Sequence, residues 1–72
     1  MQKSEIARLQ QYLQQKFGNA NISLVARKEA DDSVEVKLNG EFIGVIYRDE
    51  EEGDVSYDFN MAILEMDLPP AA

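Results

Sequence analysis

The chain has 72 residues, with 14 acidic against 7 basic side chains and no His, Cys or Trp. A chain of this length forms one small domain that hides only about 60% of its unfolded surface, so a deep enzyme cleft is not expected and self-association is a reasonable way to bury more. The formal charge of -7 repels phosphate backbones and anionic lipid, no apolar run approaches the roughly 20 residues of a membrane span, and the missing His and Cys remove the commonest metal ligand, the usual general base and thiolate chemistry.

The composition therefore predicts no nucleic-acid binding, no membrane binding, no cofactor and no catalytic activity. The opening MQKSEIARLQ has neither an apolar core nor a small-residue cleavage site, so no signal or transit peptide is expected and a cytoplasmic location follows by default.

Ile6, Leu9, Leu13 and Phe17 recur at spacings of three and four, which predicts an amphipathic helix over residues 5–17. Ser4 is placed to cap it, Glu5 suits its positive end, Lys16 suits its negative end, and Gly18 can take the left-handed conformation that stops it. Gln10, Gln11, Gln14 and Gln15 form an uncharged polar face, expected to be solvated.

Beyond Gly18 the period changes to two. Ile22, Leu24 and Ala26 alternate with Ser23, Val25 and Arg27 in a first strand, Ile22 to Lys28, residues 29–32 read as its loop, and Val34, Val36 and Leu38 form a second strand. Asn39-Gly40 predicts a two-residue type I′ turn, which pairs Leu38 with Glu41, Val36 with Ile43, and Val34 with Val45, and puts Asp32 near Tyr47. The third strand is Glu41 to Arg48, and an acidic connection from Asp49 leads to a fourth, Val55 to Met61, with Tyr57 expected near Val45 and Phe59 near Ile43. One core of Ile6, Leu9, Leu13, Val36, Ile43, Val45, Tyr57 and Phe59 follows.

Residues 62–68 fit a strand, entered through a bulge near Ala62 or Ile63, better than a short helix capped by Asn60, although Ala, Leu, Glu and Met are good helix formers. Pro69 and Pro70 end regular structure, so residues 1–68 form the domain and 69–72 a disordered tail. The expected class is α+β: an N-terminal helix on a three- or four-stranded antiparallel sheet in meander order.

The run from Asp31 to Leu68, DDSVEVKLNGEFIGVIYRDEEEGDVSYDFNMAILEMDL, follows a helix that closes at a Phe-Gly, and its most specific part is Glu41 to Leu64. In this it resembles a family of short acidic bacterial proteins classed as a domain of unknown function. The resemblance implies a single compact domain, and it carries no activity and no catalytic or binding residues.

Two features stand out as candidate surfaces. The predicted register gathers Phe42 and Ile46 around Gly44, with Asn60 on the neighbouring strand, on the sheet face opposite the helix. Such a patch suits a protein partner or a second copy of the chain, and so a homodimer. The second is the acidic connection Asp49, Glu50, Glu51, Glu52 and Asp54, whose oxygens could meet a hard cation or a basic partner. Its spacing departs from a calcium-binding loop, since Asp54 stands where such a loop needs its sixth-position glycine. Charge is divided along the chain as well: residues 1–30 carry a net +3 and residues 31–72 a net -10.

Overall fold

A computed structural model describes residues 1–51 and 53–71, apart from the side chains of Ala30 and Asp31. Helix α1 (Lys3–Phe17) is followed by β1 (Ile22–Arg27), β2 (Ala30–Leu38), β3 (Glu41–Glu51) and β4 (Asp54–Asn60), and a single 3-10 turn spans Glu65–Asp67. The strands form one antiparallel sheet in the order β1-β2-β3-β4, the expected meander, and α1 packs on it chiefly over β1.

The helix starts two residues earlier than its apolar stripe suggested. Gln2, not Ser4, is the N-cap, and its N–H donates to Glu5 Oε1 at 3.4 Å. At the other end Gly18 adopts φ 61°, and the Asn19 N–H closes the last turn on the Gln14 carbonyl at 2.9 Å, as a left-handed stop requires.

The glutamine face is not simply solvated. Gln10 Oε1 accepts from the Leu24 N–H at 3.0 Å, and Gln14 Nε2 donates to the Ile22 carbonyl at 2.9 Å. Both backbone groups lie on the outer edge of β1, so two helix side chains satisfy an edge that would otherwise present unpaired groups.

Asn39 (φ 53°) and Gly40 (φ 82°) make the predicted turn, and Leu38 faces Glu41. The register then departs from the prediction. Lys37 faces Phe42 but Val36 faces Gly44, which leaves Ile43 as the extra residue of a bulge and reverses the alternation beyond it. Val34 consequently faces Ile46 instead of Val45, and Ser33, not Asp32, faces Tyr47. On the far side Phe59 faces Ile46 and Tyr57 faces Arg48.

The buried core is accordingly Leu13, Ile22, Leu24, Val34, Val36 and Ile46, with Ile6, Leu9, Ile43, Tyr57 and Phe59 packed against it. Val45, expected in that core, sits on the opposite face. Ile46, expected on the outer face, is only 2% exposed.

Gly44 shows why the bulge settles where it does. A β-carbon there would lie 2.6 Å from Phe59 Cε1 and 2.5 Å from the Asn60 carbonyl oxygen. The aromatic ring beside this glycine is Phe59, arriving from β4 on the inner face, and only a residue without a side chain admits it. The chain after Asn60 forms neither the strand nor the Asn60-capped helix weighed from sequence: it is irregular to Leu64, then takes the 3-10 turn. No helix among the described residues is long and apolar enough to cross a membrane.

Candidate interaction surface

The bulge brings Phe42, before it, onto the same face as Val45 and Tyr47, after it. Phe42 is 55% exposed and Tyr47 44% exposed, and Val45 lies half-buried between them. Across from this row the irregular segment beyond β4 presents Met61, Ile63 and Leu64, all exposed. The two walls enclose an open groove of about 1110 Å³ whose lining also includes Asn60 and the acids Glu41 and Asp67. Of the three residues singled out from sequence, Phe42 and Asn60 are thus brought together on an exposed face, while Ile46 belongs to the core. Tyr47 and the segment Met61 to Leu64 were missed; Met66 and Leu68, the C-terminal side chains that the sequence offered as a cover for Phe42, do not line the groove. The signal for Tyr47 was its alternation with Ile46, which could be read correctly only with the bulge in place.

The acidic connection is mostly strand. β3 continues through Glu51 and β4 begins at Asp54, with Asp49 facing Ser56, Glu50 facing Val55 and Glu51 facing Asp54. Successive side chains of a strand point to opposite faces, so Glu50 is directed to the helix side and Asp49 and Glu51 to the other. Glu50 is engaged by Arg48 Nη1 at 3.1 Å. Glu52 lies outside the described residues. Among the described residues no group of three or more His, Cys, Asp or Glu side chains is placed to hold a metal ion.

On the helix side, Glu5 receives the Tyr57 hydroxyl as a hydrogen-bond donor and lies 2.9 Å from Arg48 Nε. That guanidinium nitrogen forms an ion pair but is not aligned to donate, so its N–H is buried without an acceptor. The Tyr57 hydrogen bond, the Gln2 N–H and Arg48 hold the Glu5 carboxyl below its ordinary pKa despite some desolvation. The same bond to Glu5 and partial burial raise Tyr57, and the Tyr57 hydroxyl and the neighbouring carboxylates raise Arg48. This cluster ties the first helical turn to β3 and β4. Because α1 leans toward β1, it also stands at one end of a cleft of about 370 Å³ between the helix and β4, lined by Arg8, Leu9, Tyr12, Ile46, Tyr57 and Phe59.

The cleft has a size that small ligands use, but its acid, Glu5, is already engaged by Tyr57 and Arg48, whereas the groove on the outer face is bounded by exposed apolar side chains. No significant match is found among curated proteins or among solved structures. The model of one family, described as Protein of unknown function (DUF3126), matches residues 5–67, which takes in α1, the whole sheet and the 3-10 turn. On that match the chain belongs to the DUF3126 family.

Proposed function

We propose that this protein is a cytoplasmic interaction module, acting by binding and not by catalysis, whose outer sheet face holds a basic and apolar segment of a protein partner. The observation that carries the reading is the groove between the Phe42–Val45–Tyr47 row and the Met61–Leu64 segment. Contiguous exposed apolar surface of this kind costs solubility unless something covers it. Its acidic rim, Glu41 and Asp67, and the net -10 of residues 31–72 favour a partner of opposite charge, through faster encounter and through rejection of acidic competitors.

The test uses a random peptide display library selected on the folded chain, followed by NMR of the labelled protein with the selected peptides. The reading expects sequences enriched in Lys or Arg together with large apolar residues, and amide shifts centred on Phe42, Val45, Tyr47 and Ile63. Phe42→Ser should weaken those peptides about tenfold or more, because a buried aromatic contact is lost, while thermal unfolding stays unchanged. Shifts that map to another face, or affinity indifferent to Phe42→Ser, would reject it. If the chain instead self-associates and Phe42→Ser abolishes that association, the occupant of this face is a second copy.

A further inference from the structure

The two edges of the sheet are treated differently. β1 is partly capped by Gln10 and Gln14, which bond to the Leu24 N–H and the Ile22 carbonyl, whereas β4 pairs with β3 alone, and among the described residues no side chain or loop bonds to its outer edge. Leu38 and Glu41, flanking the Asn39-Gly40 turn, are a hydrogen-bonded pair, and beyond the bulge Gly44 and Ile46 continue that bonding to β2, so Val45, Tyr47 and Asp49 bond to the other side and their partners Asn60, Asp58 and Ser56 bond back to β3. Val55, Tyr57 and Phe59 therefore direct their N–H and C=O groups outward. Edge strands are commonly protected by Pro, Lys or a bulge, and β4 has a regular register to β3, no Pro and no Lys.

We propose that the open edge of β4 is the site at which a second copy of this chain pairs, antiparallel and about a two-fold axis at Tyr57, to give a continuous eight-stranded sheet. The register is chosen by the residues themselves. Centred on Tyr57, it sets Val55 opposite Phe59 and Tyr57 opposite its symmetry mate on the helix side, and Ser56 opposite Asp58 and Asp54 opposite Asn60 on the other. Each outward-facing pair then exchanges two backbone hydrogen bonds, and no two carboxylates stand directly opposed.

Sliding by one residue would turn every apolar side chain of β4 against the wrong face. Sliding by two in one direction opposes Asp54 to Asp58, and in the other opposes Asp58 to Asp58. The central register also places the two helix–β4 clefts side by side, so that Val55, which is exposed, and the half-buried Tyr57 gain cover. This interface shares Asn60 with the outer-face groove but none of its apolar side chains, and it does not depend on the reading given to that groove.

Sedimentation equilibrium on the full chain tests it, and the expected species has twice the 8.2 kDa of one chain. Val55→Pro removes an outward N–H at a position that edge strands tolerate, and should yield a folded monomer by circular dichroism. Because that variant could fail to fold, Ser56 supplies a second lever on the exposed face. Ser56→Lys, set opposite Asp58 of the other copy twice per dimer, should tighten association about 2- to 30-fold, and Ser56→Asp should weaken it by a similar factor.

Ala7→Lys, on the exposed side of the helix, changes net charge equally and should have a smaller effect than Ser56→Lys. Phe42→Ser should leave the dimer intact, so failure here and failure of the outer-face reading give different results. A chain that stays monomeric at millimolar concentration overturns the proposal, as does a dimer that ignores both Ser56 variants or responds equally to Ala7→Lys.

Discussion

Gly44→Ala is the sharpest single test of how β3 and β4 meet. The added β-carbon would stand 2.5 Å from the Asn60 carbonyl oxygen and 2.6 Å from Phe59 Cε1, against an ordinary contact of about 3.4 Å or more. The Phe59 ring could swing aside, but it would leave its place over Ile46 and open the helix–β4 cleft. The Asn60 oxygen is main chain, and moving it means displacing the end of β4. Inserting a methyl group into packed surroundings costs about 1–3 kcal/mol, a substantial part of the roughly 4–11 kcal/mol expected for a domain of this size.

For a chain this short, each kcal/mol lowers the unfolding midpoint by about 4–8 °C, so a fall of several degrees or more is expected in a calorimetric or circular-dichroism melt. Phe59→Leu in the Gly44→Ala background should recover part of the loss, because it removes the ring contact and leaves the carbonyl contact in place. A Gly44→Ala melt within a degree of wild type would refute both the bulge at Ile43 and the position of the Phe59 ring.

Three further expectations concern β3 and the Glu5 cluster. Ile46→Ala should cost about 2–5 kcal/mol, as expected for a fully buried side chain, and Val45→Ala clearly less; urea denaturation of the pair distinguishes the bulged register from the unbulged one, which would reverse the order. Glu5, whose pKa is lower in the folded than in the unfolded chain, contributes stability that is present above the ordinary carboxylate pKa and is lost as pH falls through that range toward the folded value, so Glu5→Gln should flatten the acid limb of a stability–pH profile. Tyr57, raised above its ordinary 10.0, contributes in the opposite sense: its share persists below pH 10 and disappears as pH rises further, and Tyr57→Phe should remove that alkaline loss.

Much of the architecture is local and could be read from residue order. The three-and-four spacing of Ile6, Leu9, Leu13 and Phe17 specifies a helix whatever it packs on, and Asn39-Gly40 specifies its turn because few other pairs accept two positive φ angles. The two-residue alternation after Gly18 likewise pointed to a sheet of three or four strands, of which the structure has four, and short connections between them left meander order as the economical arrangement. The family match required no structure at all. By contrast, the start of β2 and the end of β3 were misjudged as loops because Asp31, Asp32 and Asp49 to Glu51 are acidic: their strand state comes from pairing with a neighbour, which composition alone does not report.

The faces of β3 were decided only by tertiary packing. An alternating pattern assigns sides relative to a starting point, and one extra residue inverts everything beyond it. The local mark is weak: Gly44, beside Ile43, is the kind of strand glycine that often accompanies a bulge, but it does not say which neighbour is the extra residue. What selects it is distant in sequence, since Gly44 must face inward for the Phe59 ring and the Asn60 carbonyl to approach. This long-range fit buries Ile46, turns out Val45 and aligns Phe42 with Tyr47, and so moves the candidate surface away from where the alternation alone had put it. The same holds for Gln10 and Gln14, whose role became visible only when α1 lay beside β1, and for β4, whose exposed edge exists because the sheet stops there. Spacing along the chain specified which residues alternate; the packing of one ring against one glycine specified which of them face the core.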